Sequence, residues 1–348
     1  MHDFLIVGQG LAGSVLALQL LQHGQQVLVI NNRMTNQASC VAAGLYNPIT
    51  GNKLVKTWLA DDIFPYLHTF YRAAERTLGT TFLHAKPIFR PFLTAQERTE
   101  WLHKVHQAAY TAYVQAVADE NYQRAYMRHH HGGLVLQQAG YVDVPSFLAA
   151  TRTYLQTRGA YLEADFVHEA VQLTDGVQYQ QYKARRLIFC EGPQVRQNPF
   201  FNILPLRPVK GEWLTVSLQQ PLDVIYNRGV FVLPRSPHCA MVGATYDRHH
   251  LDLLPTATAC ETLERRLEQM FALSYSVLNQ KVGLRPATAD HRPLIGLHPH
   301  YPQLGIFNGL GSKGVSMAPY FAAAFMAHLL HQKPLPQAVA LTRIKQWP

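Results

Sequence analysis

The sequence predicts an α/β protein in which a Rossmann-like dinucleotide-binding domain is interrupted by a second domain, of α+β type, built on an antiparallel sheet. Three observations predict this fold class. An apolar run at residues 4–7 leads into a glycine motif at residues 8–13 and then into an apolar helix. Residues 205–278 are rich in strand patterns, and a strand with a glycine-containing loop returns after residue 283.

Each glycine of the motif has a physical reason. Gly8 permits the tight turn that leaves the strand, Gly10 lets the backbone approach a pyrophosphate, and Gly13 lets the helix pack closely on the sheet. A phosphate would then lie at the helix N-terminus, where unpaired backbone N–H groups and the helix dipole favour an anion. A strand at residues 26–30 completes a βαβ unit, so the motif predicts a dinucleotide site.

The residue after this second strand does not identify the dinucleotide. An acidic side chain about 20 residues after the glycines would bind the ribose hydroxyls, but Asn31 occupies that position. Asn32 and Arg33 follow, and an uncharged side chain before an arginine is also compatible with a 2′-phosphate. The motif alone therefore leaves FAD, NAD and NADP open.

The composition is that of a globular protein with a large core. Of the 348 residues, 48% are hydrophobic and 15% are charged, which favours two domains. We expect neither a metal site nor a disulfide framework, because the histidine runs lack a carboxylate at ligand spacing and the cysteines lack CxxC spacing. The chain begins without a targeting pattern, and the longest apolar helix candidate, Met317 to Leu330, is too short to span a bilayer. These features predict a cytoplasmic protein.

The remaining elements follow from apolar periodicity, caps and turn residues. Helices are predicted at 58–79, from a Thr94 cap to about 118, from residues 143–145 through 156, at 256–273 and from about 315. Strands are predicted at 83–92, 134–137, 140–142, 160–163, 186–190, 211–216, 229–233, 240–245 and 304–307. The dinucleotide-binding domain is accordingly predicted to comprise residues 1–80, 139–203 and 283–348, and the second domain residues 81–138 and 204–282.

Four segments together resemble the D-amino-acid oxidase superfamily of FAD-dependent oxidoreductases, which includes glycine oxidase and sarcosine oxidase. They are the 8–13 motif, the 42–48 segment, the strand that ends at Gly192, and the pair 285–296 and 309–314. The segments 243–248, 282–293 and 310–314 are most similar to the C-terminal oxidase domain of the bifunctional bacterial enzyme that matures methylaminomethyl-uridine in tRNA. The resemblance implies a FAD-binding domain of the glutathione-reductase type. This sequence departs from the pattern of the family at Asn31, where an acidic ribose ligand is usual, and at Cys40-Val41.

The resemblance also implies a set of contacts with FAD. The pyrophosphate would be bound by Gly8, Gly10, Leu11, Ala12 and Gly13, and the ribose region would be bordered by Asn31, Asn32 and Arg33. Ala42, Ala43 and Gly44 would run beside the isoalloxazine, Val167 and Gly192 would contact the adenosine side, and Gly309, Gly311, Ser312, Lys313 and Gly314 would cover the pyrimidine edge. A helix that starts near Val315 would direct its positive end at the ring edge where negative charge accumulates on reduction.

Three side chains are candidates for the reaction site. Arg285 lies before a proline at the return between domains, where the resemblance implies an arginine that binds a substrate carboxylate through two charge-assisted hydrogen bonds. Tyr246 can bind the same carboxylate through its phenol, and Lys313 can add positive charge at the flavin edge. Asp290 and His291, interpreted as neighbours on a strand, would point to opposite faces and are expected to be packing and loop residues.

The activity implied is FAD-dependent oxidation of the C–N bond of a small amine or amino acid that carries a carboxylate. Hydride transfer to flavin N5 would give an imine that water hydrolyses, and oxygen or a quinone would accept the electrons. One alternative is removal of the carboxymethyl group from carboxymethylaminomethyl-uridine in tRNA, an anionic partner that the net charge of +9 favours. A second alternative is a flavin- or NADP-binding protein without amine oxidase activity.

Overall fold

The computed structural model describes residues 1–32, 37–51, 53–344 and 347. Arg33, one of the predicted ribose contacts, lies outside the described residues. A βαβ unit opens the chain, strands dominate from residue 209 to residue 285, and a long helix follows the last strand. The α/β fold class predicted from the sequence is confirmed.

The strands are defined in chain order by the following bounds. They are β1 (His2–Val7), β2 (Val27–Asn31), β3 (Leu45–Tyr46), β4 (Ile49–Thr50), β5 (Val55–Lys56), β6 (Leu83–Ala85), β7 (Ile88–Pro91), β8 (Val114–Ala118), β9 (Gly133–Leu136), β10 (Gly140–Val142), β11 (Tyr161–Glu163), β12 (Val171–Leu173), β13 (Val177–Tyr179), β14 (Tyr182–Phe189), β15 (Val209–Leu218), β16 (Ile225–Arg228), β17 (Val230–Ser236), β18 (Cys239–Gly243), β19 (Tyr275–Arg285), β20 (Leu294–Leu297) and β21 (Leu304–Asn308).

The helices are also defined in chain order. They are α1 (Leu11–Gln22), α2 (Gln37–Cys40), α3 (Ala60–Leu78), α4 (Ala95–Lys104), α5 (Ala108–Thr111), α6 (Val144–Gln156), α7 (Ala257–Met270) and α8 (Gly314–His331). Single 3-10 turns occur at Arg124–Tyr126, His168–Ala170, Gly192–Gln197, Gly311–Lys313 and Leu341–Arg343. Within the described ranges, no helix is long and apolar enough to cross a membrane.

The first sheet carries the N-terminal βαβ unit. Its order is β11-β2-β1-β14-β13-β12, and β21 pairs with β14 and with β20. The pairs β11–β2, β2–β1, β1–β14 and β14–β21 are parallel. Phe4 and Ile6 face a core that includes α1 and α8, whereas Leu5 and Val7 face a second core on the opposite side. Because parallel strands end at one edge of the sheet, the turns that follow β1, β2, β11, β14 and β21 meet there.

The second sheet has the order β19-β15-β18-β17-β16-β7-β9-β8. Its neighbouring strands are antiparallel, as predicted, except that β16 and β7 run parallel. Alternate side chains of the sheet pack against α7, through Leu263 and Leu267, and the others face the core that it shares with the first sheet. The domain boundaries predicted from the sequence stay a prediction.

Three strands of the second sheet, β8, β16 and β19, were not predicted as strands. The helix that begins after the Thr94 cap ends at Lys104, and the residues predicted as its last turns form β8, which pairs with β9. Residues 275–285 form the unpredicted strand β19. This strand lies at the sheet edge and only one of its residues is buried, so it lacks the apolar alternation by which a half-buried strand is identified.

Candidate active site

A cavity of about 790 Å³ lies at the carboxyl edge of the first sheet and is bordered by the inner face of the second sheet. The predicted site residues that line it are Gly8, Gly10, Leu11, Ala12, Asn31, Asn32, Ala42, Ala43, Gly44, Gly192, Tyr246, Arg285, Gly311, Ser312, Lys313 and Gly314. Gly13, Val167 and Gly309 lie next to lining residues in the chain but do not line the cavity themselves. The cavity thus brings together segments from the beginning, middle and end of the sequence.

The turn after β1 has the geometry that its glycines predict. Gly8 has a φ of 96°, and a Cβ there would lie 2.6 Å from the carbonyl oxygen of Cys190. A Cβ on Gly13 would lie 1.9 Å from the carbonyl oxygen of Gly8, so α1 approaches the strand only because this residue lacks a side chain. Gly10 is the N-cap of α1 and lines the cavity, which places the positive end of the helix there.

Asn31 holds the glycine turn in place. The residue is 3% exposed, and its Oδ1 accepts a hydrogen bond from the backbone N–H of Gln9 at 2.7 Å. Its Nδ2 is buried and has no hydrogen-bond partner among the described residues. Because an amide nitrogen only donates, Asn31 offers the cavity a donor and no negative charge. It does not supply the carboxylate usually found at this position.

A hydrogen-bonded ion pair lines the cavity beyond β11 and β14, and the sequence did not predict it. His168 Nε2 lies 2.7 Å from Glu191 Oε1, and Glu191 Oε2 accepts a hydrogen bond from Asn198 Nδ2 at 2.8 Å. The hydrogen bond to Glu191 raises the pKa of His168 above its usual range. The pair ties the 3-10 turn that contains His168 to the turn that follows β14.

Arg285, the last residue of β19, lies across the backbone of Gly211 on β15. A Cβ on Gly211 would lie 2.0 Å from Nη2, 2.2 Å from Cζ and 2.4 Å from Nη1 of Arg285. The guanidinium donates a hydrogen bond to the carbonyl oxygen of Thr245 at 3.1 Å, and among the described residues no carboxylate pairs with it. Burial lowers the pKa of Arg285, but a guanidinium stays charged in proteins. This cation therefore faces the cavity without a counter-ion from the described chain.

Aromatic residues of the second sheet surround this cation. The Tyr246 ring centroid lies 5.8 Å from Arg285 Cζ, and Tyr246 is 48% exposed, which places it at the mouth of the cavity. Trp213 and Phe231 lean over Gly243, where a Cβ would lie 2.8 Å from an atom of each side chain. The four residues Arg285, Tyr246, Trp213 and Phe231 form a partly apolar wall that carries the Arg285 guanidinium.

Three cavity-lining side chains on strands of the second sheet were missed from the sequence. Trp213, Asn227 and Phe231 line the cavity, and the Trp213 indole N–H donates to the carbonyl oxygen of Val41 at 2.7 Å. They lie on strands β15, β16 and β17, where successive side chains point to opposite faces. Alternation along these strands was the available signal, but the sequence does not tell which face borders a cavity.

Lys313 is the N-cap of α8 and lines the opposite part of the cavity. Its Nζ lies 3.4 Å from the hydroxyl oxygens of Thr50 and Thr57. Burial lowers its pKa, and no carboxylate of the described chain contributes to that pKa. The N-terminal residues of α8 line the same wall, so a side-chain cation and a helix N-terminus coincide there.

Asp290 and His291 lie in a turn and not on a strand, so the reason given for separating them is wrong. The Asp290 carboxylate pairs with the guanidinium of Arg343, and His291 has a φ of 58°. Neither residue lines the cavity. In the part of the chain that the structure describes, no group of His, Cys, Asp and Glu side chains is arranged to hold a metal ion.

Fold and cavity together are those of a dinucleotide-binding protein of the Rossmann type, with the Arg285 guanidinium on one wall of the cavity. Residues 3–329 match the family model described as FAD dependent oxidoreductase, DAO. The chain belongs to this family of FAD-dependent oxidoreductases, and its cofactor is FAD. The family assignment resolves the choice among FAD, NAD and NADP that Asn31 left open.

Known relatives are similar along nearly the whole chain. The tRNA 5-methylaminomethyl-2-thiouridine biosynthesis bifunctional protein MnmC of Haemophilus ducreyi is 25% identical over 391 residues, which cover 96% of this chain and 57% of that protein. The chain thus spans somewhat over half the length of this relative. Glycine oxidase from Geobacillus kaustophilus superposes with a TM-score of 0.78 at 20% identity, covering 96% of this chain and 95% of the other. Iminodiacetate oxidase from Chelativorans sp. BNC1 superposes with a TM-score of 0.78 at 21% identity, covering 96% of each chain.

The residues of the cavity fit FAD. Two helix N-termini, those of α1 and α8, border it, and both favour negatively charged groups. The buried Nδ2 atoms of Asn31 and Asn47 lack partners among the described residues, and both side chains belong to residues that line the cavity. A bound group rich in hydrogen-bond acceptors would satisfy these donors, and FAD, with its diphosphate and pyrimidine carbonyls, is such a group.

Proposed function

We propose that this chain oxidises the C–N bond of a small amine or amino acid that carries a carboxylate. The observation that carries the proposal is the Arg285 guanidinium, which faces the cavity without a carboxylate partner among the described residues. A substrate carboxylate would pair with it through two charge-assisted hydrogen bonds. Bound FAD would supply the two-electron oxidation of the C–N bond, and water would hydrolyse the resulting imine.

The chain's own residues would bind, orient and shield the substrate. Arg285 would fix the carboxylate, and the Tyr246 phenol beside it would donate a further hydrogen bond at the mouth of the cavity. The apolar faces of Trp213 and Phe231 would limit the access of water to the carbon that reacts. On the other wall, Lys313 and the N-terminus of α8 would provide positive charge for the reduced cofactor.

The proposal is tested by anaerobic bleaching of the purified flavoprotein. Glycine, sarcosine, D-alanine, D-proline and iminodiacetate are added separately, and loss of the visible flavin band identifies a substrate class. We expect at least one of these carboxylate-bearing amines to bleach the flavin. Replacing Arg285 with lysine keeps the charge but removes the two-pronged geometry, so Arg285→Lys should bind that amine about 10-fold or more weakly while keeping its flavin. Equal bleaching by amines without a carboxylate would contradict the proposal.

A second candidate substrate is a carboxymethylaminomethyl-uridine in tRNA, which also carries a secondary amine with a carboxylate. The similarity to the MnmC protein of Haemophilus ducreyi favours it. So do two cations near the aromatic wall: Arg248 Cζ lies 5.4 Å from the Tyr246 ring centroid, and Lys281 Nζ lies 5.6 Å from that of Trp213. Positive charge at the mouth of the cavity would attract a phosphate backbone.

This second candidate is tested with tRNA from cells that lack the oxidation step. After incubation with the flavoprotein, the tRNA is digested to nucleosides and analysed by mass spectrometry. Conversion of carboxymethylaminomethyl-uridine to aminomethyl-uridine would support the tRNA substrate. Unchanged nucleoside, together with bleaching by a free amino acid, would leave the small amine as the substrate.

A further inference from the structure

The ribose hydroxyls of a Rossmann-bound adenosine are usually bound by a carboxylate at the end of the second strand. In this chain Asn31 holds that position and uses its Oδ1 for the backbone of the glycine turn. The carboxylates that line the cavity belong to Asp165, Glu169 and Glu191, within the described part of the chain. They differ in position and in the hydrogen-bonding capacity that is left to them.

Glu191 has little capacity left for a ligand. Its Oε1 lies 2.7 Å from His168 Nε2, and its Oε2 accepts a hydrogen bond from Asn198 Nδ2 at 2.8 Å. The side chain is only 6% exposed. Both oxygens therefore already serve the packing of the two turns, and Glu191 is a positioning residue for this end of the cavity.

Asp165 lies at the same sheet edge as Asn31, one strand further out. Strand β11 pairs in parallel with β2, with Glu163 opposite Asn31, and Asp165 follows two residues later. Its Oδ1 accepts a hydrogen bond from Asn32 Nδ2, and its Oδ2 has no partner among the described residues. One carboxylate oxygen thus remains available at the wall where the usual ribose ligand would lie.

The loop that carries Asp165 is held in place from the inside. The fully buried Tyr179 hydroxyl donates to the carbonyl oxygen of Asp165 at 3.4 Å and accepts from the N–H of Val167 at 3.2 Å. The ring of Phe166 stacks on Tyr179 at 4.4 Å between centroids. Because both sides of Asp165 are fixed, its carboxylate is presented to the cavity with little further loss of backbone freedom on binding.

We propose that Asp165 is the carboxylate that binds the adenosine ribose of FAD in this chain. Ribose hydroxyls are donors, and an ionised carboxylate with a free oxygen accepts such bonds strongly. The hydrogen bond from Asn32 Nδ2 orients the Asp165 side chain, and Asn31 Oδ1 positions the glycine turn through the backbone N–H of Gln9. Both asparagines therefore position other groups that would contact the cofactor. The proposal concerns the cofactor and not the substrate, so its failure would leave the proposed function intact.

The test uses apoprotein and two nucleotides that differ only at the ribose. ADP and 2′,3′-dideoxy-ADP compete with FAD, and flavin fluorescence quenching reports how much FAD binds. The wild type should bind ADP about 10- to 100-fold more tightly than the dideoxy compound, because charge-assisted hydrogen bonds are lost. Asp165→Ala should reduce this ratio to within about threefold of unity and should weaken FAD binding by about 10- to 100-fold.

Glu169→Gln is the matched control, because Glu169 also lines the cavity and is exposed. We expect it to keep the ADP preference and to leave FAD affinity unchanged. Asp165→Asn, which keeps size but removes charge, should give an intermediate ratio. A full ADP preference in Asp165→Ala, its loss in Glu169→Gln, or no ADP preference in the wild type would each overturn the proposal. The ratio compares two ligands on one protein, so a change in stability alone does not alter it.

Discussion

Replacing Gly211 with alanine tests whether the backbone of β15 positions Arg285 for substrate. The added Cβ would lie 2.0 Å from Nη2 of Arg285, whereas ordinary contact begins at 3.4 Å, so this atom must move by at least 3.4 − 2.0 = 1.4 Å. Gly211 pairs with Gly283 on the neighbouring strand, so the new methyl group has the backbone behind it and the guanidinium in front of it. The guanidinium is the part that must move.

A displacement of about 1 Å at a group that positions substrate can cost about 100-fold in rate, which corresponds to about 2.7 kcal/mol. We therefore expect Gly211→Ala to lower kcat/KM about 100-fold for the amine that bleaches the flavin. The loss should fall mainly on substrate binding, because in the proposed complex Arg285 would contact the carboxylate and not the bond that breaks. Flavin content, measured by absorbance, should stay at the wild-type level.

The control is a double-mutant cycle with Arg285→Ala. Without the guanidinium, the three atoms nearest to the methyl group at position 211 are gone, so adding Gly211→Ala to Arg285→Ala should change kcat/KM by less than about twofold. An unchanged kcat/KM in Gly211→Ala would refute the reasoning. So would equal losses in the presence and absence of Arg285, since these would indicate general damage to the sheet.

Three further perturbations address other parts of the cavity. The pKa of His168 is raised by Glu191, so the pair stabilises the fold fully below about pH 6.5 and loses that contribution as pH rises through the raised pKa. Glu191→Gln should therefore lower the free energy of unfolding, measured in urea, by about 1–2 kcal/mol at pH 6 and by less at pH 9. Equal losses at the two pH values would contradict the assignment. Lys313→Met should lower the flavin midpoint potential at pH 7 by about 30 mV, which is about 1.4 kcal/mol for two electrons. The difference between variant and wild type should shrink as pH rises through the lowered pKa of this lysine. Spectroelectrochemical titration measures the potential, and an unchanged value would contradict the proposed role of Lys313 as a positive charge for the reduced cofactor. Gly44 has a φ of 73°, and a Cβ there would lie 1.8 Å from the Val142 carbonyl oxygen. Gly44→Ala should therefore destabilise the protein by about 3 kcal/mol or more, measured by thermal unfolding. A variant with the wild-type Tm would contradict this prediction.

Sequence reasoning was most successful where the backbone itself imposes the residue type. Gly8 and Gly13 were predicted with the reasons that the structure gives, a tight turn and a close approach of α1. Arg285 and Lys313 were predicted from the resemblance, and both line the cavity. Their roles stay predictions.

Residues whose position depends on distant pairing could not be predicted in this way. Asn227 and Phe231 border the cavity because their strands present one particular face inward, and a period of two does not tell which face that is. Asp165 gains its significance from the parallel pairing of β11 with β2. β19 was missed because an exposed edge strand carries polar residues on both faces, and the end of α4 was missed because helical and strand patterns overlap in short apolar runs.

The strand order of the first sheet also determines when the cofactor can be acquired during protein synthesis. β1 pairs with β14, and β14 in turn with β21, so the central strands join segments that leave the ribosome far apart in time. Such non-local pairings form late in folding. A nascent chain that already contains the glycine turn still lacks β21 and the N-terminus of α8, which complete the cavity. We therefore expect FAD to be captured only after the residues of β21 and α8 have been synthesised.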